Sequence, residues 1–150
     1  MRQAVIDALK ADAAVTAIVG QRVYGRQGLL GGISRDATPE AFDTDGRLMP
    51  SAVVVLEAAV IRTDIGGRNL IAGTQTVQVW VACGYDRYTE IKAALKAARH
   101  VLHGKNFPPV EDTVGWTDTR WASTSPELYD ESLRAPTMFS RFDITYTETP

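Results

Sequence analysis

At 150 residues the chain has the length of one ordinary domain, because a single hydrophobic core is normal at this size and two would each be thin. Hydrophobic residues make up 45% of it and charged residues 23%, which excludes the disordered, collagenous and membrane classes. Its net charge of -2 comes from 16 basic and 18 acidic side chains, spread without blocks of one sign. That excludes a general nucleic-acid binder, which needs a basic face to displace counterions, but leaves room for a local charged patch.

Cys83 is the single cysteine, so there is no internal disulfide and no thiol pair for a structural metal, and a cytosolic chain is expected. Asp7, Lys10 and Asp12 interrupt the apolar run near the N-terminus, so a signal peptide does not fit. The longest apolar stretch, residues 52–61 with Glu57 inside it, is about half a membrane span.

Taken in order, Val5, Ile6, Leu9 and Ala13 follow helical spacing and predict an amphipathic helix over residues 2–13. Asp12 is placed to cap a second short turn carrying Val15, Ile18 and Val19, with Gly20 at its end. An extended segment begins at Val23. From residue 25 to residue 50 glycine and proline recur without periodicity, and a long loop is predicted, whose glycine content implies ordering only on contact. Residues 51–61 read as a central strand covered on both faces. Residues 74–83 alternate, with Val77, Val79, Val81 and Cys83 on one face and Thr76, Gln78 and Trp80 on the other. The two runs form a β-hairpin whose polar, basic tip carries Arg62, Asp64, Arg68 and Asn69.

Residues 86–103 give the clearest helix, with an apolar stripe of Ile91, Leu95, Ala98 and Val101 or Leu102, Asp86 as cap and Gly104 beyond its end. Residues 104–115 read as loop, 116–123 as a short strand and 125–135 as a turn or a single helical turn. A last strand covers 137–147, with Met138, Phe142, Ile144 and Tyr146 on one face. The fold class that satisfies these pieces is α+β: two main helices on one face of a largely antiparallel sheet, with a long loop and a protruding hairpin, in one domain over residues 1–150.

Screening for chemistry leaves no catalytic, cofactor or metal residue predicted. His100 and His103 stand three apart on a helix without an accompanying carboxylate or thiol at ligand spacing, and fit better as positive charge near the helix C-terminus. Cys83 falls on the apolar face of its strand. Gly25, Gly28 and Gly31 match neither phosphate-loop spacing. Asp43 and Asp45 before Gly46 are similar to a calcium loop, but Ala52 stands at the closing acidic position. Trp116, Trp121, Tyr129 and Phe139 are interleaved with acids as well as arginines, so packing suits them better than base stacking.

The pattern over residues 4–24 (AVIDALKADAAVTAIVGQRVY), followed by MPSAVVVL at residues 49–56, resembles the tail terminator (tail completion) proteins of long-tailed phages of the lambda type. The T-x-x-V-x-V-x-V strand at 74–81, the I-x-x-x-L-x-x-A-R-x-x-L helix at 91–102 and S-x-x-L-Y-D at 125–130 extend it over nearly the whole chain. The resemblance implies a non-enzymatic virion protein assembled in the host cytoplasm. It implies a homohexameric ring at the head-proximal end of the tail that caps the tail tube, stops its growth and offers a surface to the head connector. DNA would pass through the lumen without sequence recognition, and no cofactor or membrane is involved. A closed ring needs two different complementary patches on each subunit. The hairpin tip and the long loop with Arg26, Arg35, Asp36 and Asp45 are the expected ones. The competing expectations are another head-tail connector or neck subunit, and a small-molecule-binding α+β module.

Overall fold

A computed structural model describes residues 1–27, 30–62, 71–85, 88–107 and 118–148. The N-terminal helical pattern resolves into α1 (Arg2–Ala11) and α2 (Ala13–Val19). Asp12 divides them: its backbone is extended at φ -89° and ψ 128°, and its carboxylate accepts the Val15 N–H at 2.9 Å, the cap expected from sequence. Gly20, at φ 59°, closes α2. The third helix, α3 (Thr89–Leu102), has Tyr88 at its N-cap; Asp86, the cap expected from sequence, lies outside the described residues.

The strands are β1 (Val23–Gln27), β2 (Leu30–Gly31), β3 (Ser51–Leu56), β4 (Val60–Arg62), β5 (Ile71–Ala82), β6 (Asp118–Thr124), β7 (Leu128–Asp130) and β8 (Ala135–Glu148). They form one sheet in the order β2-β1-β3-β5-β8-β6, with β4 also on β5 and β7 also on β8. Its axis is the antiparallel pair β5–β8, in register from Ile71 opposite Glu148 to Ala82 opposite Thr137. β1 and β3 are parallel; the other ladders are antiparallel.

Three sequence expectations are corrected. The strand predicted over 51–61 is two strands, because residues 57–59 stand against only Gln75 and Thr76 between the pairs Leu56–Val77 and Val60–Thr74, and the surplus residue breaks the ladder. Nor is it covered on both faces: Val53 and Val55 are half-buried. The turn predicted over 125–135 contains β7, which pairs with the start of β8. The long loop is largely ordered: β1 and β2 take its first residues, a 3-10 turn covers Pro39–Ala41, and Phe42 bridges to Leu48.

Alternation along the strands sends Ala52, Val54, Val77, Val79, Val81, Phe142 and Ile144 under the helices, where they meet Val5, Leu9, Val19, Ile91, Leu95 and Leu102 in the main core. Fully burying each of these side chains larger than alanine contributes roughly 1.5–3 kcal/mol. A parallel pair such as β1–β3 needs a crossover, usually a helix. Here residues 32–50 make it over the other face, where Ala41 and Leu48 pack on Ala82 and Ala135 in a second, smaller core. The Gly84 N–H donates to the Leu48 carbonyl at 2.8 Å, and a Cβ at residue 84 would lie 2.9 Å from the Leu48 nitrogen. Glycine there lets the crossover lie directly on the chain leaving β5. Among the described residues no helix is long and apolar enough to cross a membrane.

Candidate functional site

The crossover is held by side chains rather than by periodic structure. The Asp43 carboxylate accepts the N–H groups of Asp45 and Arg47 at 2.9 and 2.8 Å and the Tyr85 hydroxyl at 2.7 Å. The bond from Tyr85 is the main reason the Asp43 carboxyl titrates below its usual range; the same bond raises Tyr85. Arg35 donates to the Gly46 carbonyl at 2.7 Å with its guanidinium over the Phe42 ring. Tyr24, on β1, donates to Glu40 at 2.9 Å. Burial first, and then that bond, push its phenol up to about 12. The expectation that this segment orders only on contact therefore gives way: within the single chain it is already tied to β1 and to the end of β5.

Of the residues expected at interfaces, Arg26, Arg35, Asp36 and Asp45 are all exposed; Arg35 and Asp45 line one hollow beside Gly84 and Arg134, whereas Arg26, on β1, lines another with Trp80. Arg62 closes β4 opposite Ala72, toward the other end of β5. Ten residues of strand, ~33 Å at the usual rise, separate Ala72 from Ala82. Asp64, Arg68 and Asn69 lie outside the described residues.

The sheet face turned away from the helices carries a group that sequence reasoning missed. Trp80 stacks on Phe139 with ring centroids 4.3 Å apart, and its indole N–H donates to Gln78 at 2.7 Å. Gln78 donates to Glu57, which also receives Arg141 at 2.9 Å. Register brings them together: Gln78 is opposite both Val55 and Arg141, and Trp80 opposite Val53 and Phe139. Beside this group is a hollow of about 220 Å³ lined by Arg26, Val53, Val55, Trp80, Leu133 and Thr137 among others. The available signal was Trp80 itself, a large aromatic on the face that alternation marks as polar.

The residues screened for catalysis are engaged structurally. Cys83 is buried, its Sγ 3.4 Å from a Glu90 carboxylate oxygen. His103 Nδ1 accepts the Trp121 backbone N–H at 3.0 Å, joining the end of α3 to β6. Among the described residues no three His, Cys, Asp or Glu side chains are grouped to hold a metal.

No curated protein matches the chain by sequence. A chain from the virion of a native gene transfer agent particle shares its fold: the TM-score is 0.63 at 17% identity, over 98% of this chain and 94% of that one. The family model for tail completion protein gp17 matches residues 3–134, from α1 to the turn before β8. The chain belongs to this tail completion family and is a structural protein of a phage-type tail.

Proposed function

We propose that the chain is a tail terminator: six copies close into a ring on the head-proximal end of the tail tube, stop subunit addition and present a surface to the head connector. The match to the tail completion family over residues 3–134 carries this reading. The geometry supports it. A ring is built from a heterologous interface, so each subunit must offer two unlike patches well apart. On this reading the crossover with Arg35, Asp36 and Asp45, together with Arg26 of β1, supplies one, and the far end of β4 and β5, where Arg62 closes β4 and from which Asp64, Arg68 and Asn69 follow in sequence, supplies the other. The open face with Trp80 and Phe139 supplies a third surface for the tube or the connector. The work is done by shape and contact, without a chemical step.

The test is to polymerise tail tube protein with and without the purified chain and to measure tube lengths by electron microscopy. Shorter tubes that no longer elongate when fresh subunits are added are expected; unchanged elongation contradicts the proposal. Replacing residues 65–69 by a short glycine-containing turn should leave the monomer folded and abolish capping.

A further inference from the structure

One face of α3 carries Lys92, Lys96 and Arg99, with the imidazoles of His100 and His103 beyond them. These recur at helical spacing, while Ile91, Ala94, Leu95, Ala98 and Leu102 face the core. The stripe is about 16 Å long at the usual helical rise. It forms one wall of a groove whose other wall is β6, and Arg99 is shared by two adjoining hollows of about 170 and 310 Å³. Trp121 of β6 faces it, with the Arg99 guanidinium 5.0 Å from its ring centroid. At one end Lys92 pairs with Glu127 at 2.7 Å. Lys96, His100 and His103 stay exposed. In a chain of net charge -2, this concentration of positive charge must be matched by acid elsewhere.

The complement lies on the same chain. The crossover carries Asp36, Glu40, Asp43 and Asp45 against Arg35 and Arg47, and Asp130 at the end of β7 and Glu131 after it stand against Arg134. Asp36 and Asp45 are exposed, and Arg35 is turned onto Phe42 and Gly46. The groove flanks β6 on the helix face of the sheet; the crossover leaves β1 and β2 and crosses the opposite face, where it packs on Ala82 and Ala135 and brings Asp45 beside Arg134. Patches so placed on one subunit do not meet each other, but they do meet between neighbours in a head-to-tail ring. A DNA duplex suits the groove less well, since wrapping its backbone takes a broad basic face and many phosphate contacts.

We infer that the α3–β6 groove is one half of the subunit interface, receiving the acidic crossover of a second copy of this chain; the inference rests on the ring reading above. Opposite charges facing across an interface also make assembly weaken as salt rises.

The experiment uses two full-length variants, Lys96→Glu with Arg99→Glu and Asp36→Lys with Asp45→Lys. Circular dichroism melts check that each is folded, and Lys96→Glu alone serves if the double variant is not. Ring formation is read by analytical ultracentrifugation and by electron microscopy on tube ends. Each variant alone should assemble roughly tenfold or more weakly than wild type. An equimolar mixture should recover rings, because each reversed groove then meets a reversed crossover. Wild-type assembly by the groove variant, or no recovery in the mixture of folded variants, overturns the inference while leaving the ring reading intact. If wild-type chains form no ring even on tubes, the ring reading fails and the inference with it. Loss of duplex DNA binding in the groove variant with normal rings makes the groove a nucleic-acid surface and also overturns it.

Discussion

Tyr146 lies across Gly73, its direct cross-strand partner in the β5–β8 ladder, so closely that a Cβ at residue 73 would lie only 2.5 Å from the phenol oxygen. An aromatic ring over a strand glycine covers backbone that would otherwise be bare. Gly73→Ala forces the ring aside and should cost about 1–3 kcal/mol, the usual range for overpacking. In a Tyr146→Ala background the same change should cost almost nothing. Urea unfolding of the four proteins gives the coupling; equal costs in both backgrounds contradict the contact.

Thr119 of β6 is buried, and its hydroxyl has no hydrogen-bond partner among the described residues. An unsatisfied buried hydroxyl costs about 1–3 kcal/mol. Valine has the same shape without it and suits a strand. Thr119→Val should therefore raise the urea midpoint at unchanged slope, whereas a lower midpoint would reveal a partner for the hydroxyl.

The Asp12 carboxylate is the side-chain cap of α2. Asp12→Ala should lower stability by about 1 kcal/mol, and Asp12→Asn by much less, since asparagine is an equally good cap. Equal losses in the two variants would assign the effect to something other than the Val15 hydrogen bond.

The crossover should respond to pH at both extremes. Folding raises Tyr24 from the ordinary 10.0 to about 12. Its contribution is thus intact below pH 10 and is lost as the pH rises through about 12. Asp43 is lowered from 3.8, so its contribution is present above that value and is lost as the pH falls through the depressed one. Ultraviolet titration should show a late phenol that Tyr24→Phe removes. A carboxyl NMR titration should show the Asp43 midpoint moving back up in Tyr85→Phe. A Tyr24 that ionises with the free phenols, or an Asp43 midpoint indifferent to Tyr85, contradicts the clamping described above.

The helices and the long strands were legible because burial imposes a period: every third or fourth residue in α3, every second in β5 and β8. The order of residues 32–50 was not, since it comes from Asp43, Arg35 and Tyr24 bonding to backbone and to distant side chains, which leaves no repeat in sequence. β7 is three residues long and exists through its pairing with β8. The open-face group escaped because Glu57, Gln78 and Arg141 are joined by register, not by spacing. The α3 stripe was readable, but its meaning depends on Trp121 facing it from β6 and on the crossover acids over the opposite face of the sheet.

The most direct test of the central claim is to image the chain on purified tail tubes by electron cryomicroscopy and count copies at the tube end. The account predicts one closed ring of six copies at one end only, with the crossover of each subunit against its neighbour. Single copies scattered along the tube wall, or bare tube ends at saturating protein, would contradict it.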